Sequence, residues 1–214
     1  MTIIIAIDGP ASVGKSTLAK KISKKFEAPV LFSGKLYRAL ALEIIKQKIN
    51  LSNIGEIIKC ISYIDLDNLK SSGLYSSEVD NVASIISAEK QVRNKLITFQ
   101  RNFPKKYGNK TKFAIIEGRD IGTIIFPRAN FKFFLWASAE VRAKRRYEQL
   151  RKNGKNVSYK KIFNEINERD RKDVTRKIAP LMPAANSVLL DTTYIDIEQA
   201  FNAIKATIRR TKTT

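Results

Sequence analysis

The chain has no histidine and a single cysteine, Cys60, among its 214 residues. That excludes Ser-His-Asp and Cys-His catalysis within it, and a structural zinc site of the usual Cys/His type. One thiol cannot make an internal disulfide, which fits a reducing compartment; Cys60 reads as a small buried hydrophobe on a helix. Long apolar runs are missing as well, and nothing approaches the roughly 20 residues needed to cross a bilayer. The N-terminal segment Met1–Asp8 lacks the basic region of a signal peptide, so a cytoplasmic location is expected. Acidic residues are scarce, 20 against 40 Lys and Arg, for a formal charge of +20. Such an excess points to polyanionic partners, either nucleic acid or small phosphorylated substrates on a lysine-rich surface, and charge alone does not choose.

What is present is ordered around a core. Hydrophobic residues make up 43% of the chain, enough to bury one. Thr2–Ile7 is β-branched and continuously apolar, as in a strand buried on both faces. A helix is expected over Lys15–Phe26, a short strand at Val30–Phe32 and a helix over Lys35–Lys48. Ile54–Ile64 looks helical, Asp67–Ser77 like a polar loop, and Val79–Ile86 and Glu89–Phe103 like helices. Phe113–Glu117 and Phe131–Trp136 read as strands. Two basic helices, Ala139–Lys152 and Ser158–Arg171, flank Asn153-Gly154, and a strand at Val188–Asp191 precedes a helix over Ile197–Arg210. Strands alternating with helices indicate a parallel α/β sheet. The stretch 140–177 holds 14 basic and 6 acidic residues, and so carries a large share of the charge.

Gly9-Pro10-Ala11-Ser12-Val13-Gly14-Lys15-Ser16 fits G-x-x-x-x-G-K-[ST] in full, between the first strand and the first helix. Backbone N–H groups in such a loop wrap phosphates, aided by the helix dipole. Lys15 would reach the β- and γ-phosphates, and the Ser16 hydroxyl would ligate Mg²⁺. The loop alone leaves kinases, GTPases, motors and helicases open. Chain length favours a small-molecule kinase, and the absence of an NKxD-type guanine-reading sequence argues against a GTPase. Further candidates are Ser33 and Arg38 at the start of the second helix, Ser84 and Arg93, and Glu117-Gly118-Arg119-Asp120 at the end of a strand, where ligands bind in such sheets. Arg169, Asp173 and Arg176 are spaced to share a helix face, as are Arg142, Arg145 and Arg146.

These segments resemble the bacterial cytidylate kinases over nearly the whole chain: IDGPASVGKSTLAK, SGKLYRALAL, GRDIGTIIFPRA, ASAEVRAKRR and ERDRKDVTRKIAPL. Gly118-Arg119-Asp120 discriminates, since adenylate kinases and eukaryotic UMP-CMP kinases would show a GFPR-like sequence there. The resemblance implies a P-loop NTPase three-layer α/β sandwich with a central five-stranded parallel sheet. Its core would span about 1–35, 104–140 and 178–214. A monophosphate-binding lobe would cover about 36–103, and a helical lid about 141–177. It implies ATP-dependent phosphorylation of CMP and dCMP with Mg²⁺, by a monomer with no specific nucleic-acid partner. Gly9, Pro10, Ala11, Ser12, Val13, Gly14, Lys15, Ser16 and Thr17 would bind ATP. Lys15, Arg119 and Arg176 would be catalytic, and Ser16 with Glu117 would serve the metal. Ser33, Arg38, Ser84, Arg93, Arg119, Asp120, Arg169, Asp173 and Arg176 would bind the acceptor. Arg142, Arg145 and Arg146 would close over ATP. The chain departs from the family pattern at Phe32, Glu117, Arg128, Arg171 and Val174, and its segment between about 64 and 79 is shorter. Kinases of UMP or dTMP, and a nucleic-acid-stimulated ATPase motivated by the charge, are the competing readings.

Overall fold

The alternation of β-branched strands and amphipathic helices is realised in a computed structural model that describes residues 2–65, 69, 71–107 and 110–210. Strand β1 (Ile3–Asp8) pairs in parallel with β3 (Phe113–Glu117) on one side and β4 (Phe131–Trp136) on the other. Its central position explains why Ile5, Ala6 and Ile7 are inaccessible to water and why the strand has no polar alternation. With β2 (Val30–Phe32) and β5 (Val188–Asp191) at the edges, the five-stranded order is β2-β3-β1-β4-β5. The register sets Ile7 beside Glu117 and Asp8 beside Phe134, so the carboxyl ends of β1, β3 and β4 finish together.

The chain divides into two compact units, Met1–Val30 with Tyr107–Thr214, and Leu31–Lys106. In the first, helix α1 (Lys15–Phe26) buries Leu18, Ala19 and Ile22 and packs against β3, where Phe26 and Phe113 meet with ring centroids 5.1 Å apart. Helix α8 (Ile197–Arg210) lies along α1, with an ion pair between Lys21 and Glu198. Helices α6 (Ala139–Lys152) and α7 (Tyr159–Thr175) form a hairpin with a small core of its own. Ala143, Ile162 and Ile166 fill that core, flanked by Tyr147, Leu150, Val157 and Phe163.

In the second unit, α2 (Ser33–Lys46) packs on α3 (Ile54–Cys60) and α4 (Ser77–Ile86), and α5 (Lys90–Tyr107) completes it. Several bounds differ from those read in the sequence. Helix α2 begins at Ser33, because that serine is itself buried in the first turn. The helical stretch from Ile54 tightens to a 3₁₀ turn at Ile61–Tyr63. A second 3₁₀ turn, Ser72–Tyr75, stands within the expected polar loop and carries the fully buried Leu74 inward. The part of that loop at residues 67, 68 and 70 lies outside the described residues. Among the described residues no helix is long and apolar enough to cross a membrane.

Candidate active site

Strand β1 delivers the chain to Gly9, whose φ of +145° and position against the Leu135 carbonyl leave no room for a Cβ. The loop then holds Ser12 at φ +59° and Gly14 at φ +98°, and α1 starts at Lys15. Lys15 is buried at the loop's centre, where its Nζ donates to the Pro10 carbonyl at 2.6 Å and lies 3.7 Å from Glu117 Oε1. Ser16 Oγ donates to Glu117 Oε2 at 3.1 Å. The hydroxyl and the carboxylate expected to serve Mg²⁺ are therefore side by side. Two hard oxygen donors fit that ion, which is usually held by one or two protein groups together with substrate phosphates. Thr17 is the exposed neighbour of Ser16 on the first turn of α1.

Burial pushes the Lys15 ammonium down to about 7; Arg119 and Arg169 press the same way, against Glu117 and Asp8. The two nearby carboxylates do not outweigh the burial and the two arginines, so the ammonium is held in a site that favours a further anion.

Asp8, the one acid on β1, accepts hydrogen bonds from the backbone N–H groups of Ile121 (2.9 Å) and Gly122 (2.7 Å). Those amides open a wide helical turn, Ile121–Ile125, in which Phe126 N–H reaches back to the Ile121 carbonyl. Burial raises the Asp8 carboxyl to about 6, with Asp120 adding to the effect and the two amides and Lys15 opposing it. By holding this turn, Asp8 fixes where Arg119 and the buried Asp120 leave the end of β3.

Arg119 Nε donates to Asp173 Oδ2 at 2.9 Å, and Arg176 Nη1 stands 3.8 Å from the other oxygen of Asp173. Burial alone would lift the Asp173 carboxyl, but Arg119, Arg169 and Arg176 together hold it below the ordinary range. Arg119 is raised in turn: burial works against its charge, and Asp173, Glu117 and Asp170 outweigh it. Arg176 follows α7 with extended backbone, its Nε donating to the Ala179 carbonyl. Arg169 is on an exposed face of α7 and acts on this cluster through its charge. The first unit thus brings together Lys15, Ser16, Glu117, Arg119, Asp173 and Arg176.

Arg142, Arg145 and Arg146, all on α6, turn to different partners. Arg142 is buried and bound to the Ala137 and Ala11 carbonyls and to Asp170. Arg145 donates to the Thr192 carbonyl at 2.6 Å, to its hydroxyl, and to the Ile195 carbonyl. Arg146 is exposed and reaches Gln149 on its own helix.

In the second unit, Arg38 pairs with Asp80 at 2.6 Å and lies over the Tyr75 ring. Arg93 is buried on α5, against the Tyr37 ring and donating to the Ser87 carbonyl. Ser33 is buried at the start of α2, and Ser84 is exposed on α4. Asp8, Asp80 and Thr192 were not among the residues singled out in the sequence. Asp8 alone carried a signal, being a carboxylate that ends an otherwise apolar strand.

A family model described as cytidylate kinase matches residues 5–210. The cytidylate kinase of Granulibacter bethesdensis is 38% identical over 98% of this chain and 98% of its own length. That of Methylocella silvestris is 41% identical, covering 94% of this chain and 91% of the relative. Among solved structures, an uncharacterized protein from Eubacterium ventriosum superposes with a TM-score of 0.57 at 16% identity, over 98% of this chain and 99% of its own. The protein TT1252 from Thermus thermophilus does so with 0.51 at 17% identity, over 96% and 97%. These two support the α/β fold.

Proposed function

The chain belongs to the cytidylate kinase family, and on that premise we propose that it transfers the γ-phosphoryl group of ATP to CMP and dCMP, giving ADP with CDP or dCDP. The observation that carries the proposal is the gathering of Lys15, Glu117, Arg119 and Asp173 at the carboxyl ends of β1 and β3, beside the buried Asp120.

The acceptor is a phosphate monoester, whose second pKa of about 6 leaves it largely ionised at neutral pH. One of its oxygens attacks Pγ, the bond from Pγ to the β,γ-bridging oxygen breaks, and that electron pair leaves with ADP. No proton has to be removed from the nucleophile, which suits a chain without histidine. What remains is positioning and neutralisation of charge. Gly9–Thr17 would cradle the triphosphate, with Lys15 leaving the Pro10 carbonyl for the β- and γ-oxygens. Arg119 and Arg176 would hold the acceptor phosphate, with Asp173 orienting both guanidinium groups and Arg169 adding charge. Ser16 and Glu117 would hold Mg²⁺, which when bound would supply positive charge to neutralise the phosphate oxygens.

Asp120 would accept from the exocyclic amine of cytosine and repel the carbonyl that uracil has there. Ser33, Arg38, Ser84 and Arg93 are proposed as further acceptor contacts. The test is kcat/KM for CMP and UMP in wild type and Asp120→Ala. Wild type should prefer CMP by roughly hundredfold or more, because a buried carboxylate facing uracil has no donor. The variant should lose most of that preference through CMP. An unchanged preference would remove Asp120 from base reading.

A further inference from the structure

We propose that Arg142 is a positioning residue for the phosphate loop, fixing from behind the peptide that joins Ala11 to Ser12. The inference rests on the reading of Gly9–Ser16 as the ATP loop, and not on which nucleotide accepts the phosphoryl group.

Arg142 sits in the first turn of α6 and is 4% exposed. Its planar guanidinium is engaged in three directions. Nε donates to the Ala137 carbonyl at 2.8 Å, where β4 passes into α6. Nη1 donates to the Ala11 carbonyl of the loop at 3.2 Å. Nη2 lies 2.6 Å from Asp170 Oδ2 on α7. Asp170 supplies the charge that a buried guanidinium needs, and neither carbonyl alone could hold it there. A lysine has the charge but not a fork that reaches three acceptors at once.

The consequence for the loop follows from peptide planarity. In a trans peptide the N–H points opposite to the preceding C=O. Holding the Ala11 oxygen toward α6 therefore turns the Ser12 N–H the other way, to the side of the loop that faces away from α6. Ser12 itself is at φ +59°, a left-handed conformation that a serine does not keep without support. Arg142 supplies that support from the α6 side of the loop, so it can preorganise the loop for a triphosphate without touching one. The face-sharing of Arg142 with Arg145 and Arg146 is thereby given a different meaning. Arg142 points back into the fold, and of the three only Arg146 is exposed.

The experiment compares wild type, Arg142→Met and Arg142→Lys. Mg²⁺ with AMPPNP, and inorganic tripolyphosphate, are titrated calorimetrically, and KM for ATP and for CMP is measured alongside. Loss of a charged hydrogen bond that orders the loop should weaken both polyphosphate probes by roughly tenfold to hundredfold. KM for ATP should rise with them and KM for CMP should change by less than about threefold. Lysine should not rescue. Should Arg142→Met not fold, Asp170→Asn leaves the arginine in place with a weaker anchor, and a loss of the same kind, smaller and confined to the polyphosphates, is expected. A purely structural role would lower the melting temperature and spare this split. Folded variants that bind both probes as wild type does, or that lose ATP and CMP affinity equally, would overturn the inference alone. A wild type that binds neither probe would overturn it together with the proposed function.

Discussion

If Gly9–Ser16 is the phosphate loop proposed above, Lys15 should report its occupancy through protons. In the free protein its ammonium is held down at about 7. A bound polyphosphate places anionic oxygens against it and should return it toward its ordinary value of 10.5. Binding must then take up about 0.9 proton at pH 8, about 0.5 at pH 7 and about 0.1 at pH 6, from the fraction of free lysine that is neutral at each pH. The same linkage weakens nucleotide affinity by about tenfold per pH unit above 7. The assay is calorimetric titration of Mg²⁺-AMPPNP at pH 8 in buffers of different ionisation enthalpy, where the slope of the apparent enthalpy counts protons. Lys15→Met should bind weakly and take up none. The free protein should also gain stability as pH rises from about 7 toward 10.5, because over that window the unfolded lysine binds a proton that the folded one does not. Proton uptake near zero at pH 8 in wild type would refute the reasoning, since it would mean that Lys15 is already charged in the empty loop.

Three further outcomes are expected. Gly9→Ala puts a methyl group into the Leu135 carbonyl, so thermal denaturation should show a loss of several kelvin or more and nucleotide binding should fail. Asp173→Asn leaves Arg119 without its main counter-charge; urea denaturation should show a loss of about 3 kcal/mol, and KM for the acceptor should rise. In wild type the part of Asp173's stabilisation that depends on its lowered carboxyl is full above the ordinary carboxylate value of 3.8 and is lost only as pH falls through the lower value of the folded protein. Asp8 has the opposite sign: with its carboxyl raised to about 6, stability should fall as pH rises from 3.8 to 6, by about 3 kcal/mol. Denaturation curves over that range should lose this slope in Asp8→Asn.

The elements that the sequence made legible are those where periodicity and burial agree. β1, β3 and β4 are apolar because helices and neighbouring strands cover them, and the loop from Gly9 to Ser16 has a spacing with one mechanical reading. Bounds slipped where tertiary burial overrode local polarity, as at Ser33 and at Leu74 within an otherwise polar stretch. The candidate site residues could be singled out by type and spacing, but their pairings could not. That Glu117 meets both Lys15 and Ser16, or that Asp173 meets Arg119, depends on strands and helices about fifty to a hundred residues apart. Helical spacing placed Arg142, Arg145 and Arg146 on one face and said nothing of direction, and only the turn from β4 into α6 sends Arg142 back to the loop. Asp8 is visible in the sequence as an acid ending an apolar strand, but what it holds is not, because its partners are backbone amides, which have no sequence signature.

The measurement that tests the central claim most directly is a coupled ADP-release assay with Mg²⁺-ATP and each of CMP, dCMP, UMP, dTMP and AMP, repeated with RNA and DNA in place of the nucleotide. Turnover confined to CMP and dCMP is the expected result. Turnover with UMP, dTMP or AMP in their place, or ATP hydrolysis that appears only with nucleic acid, would contradict it.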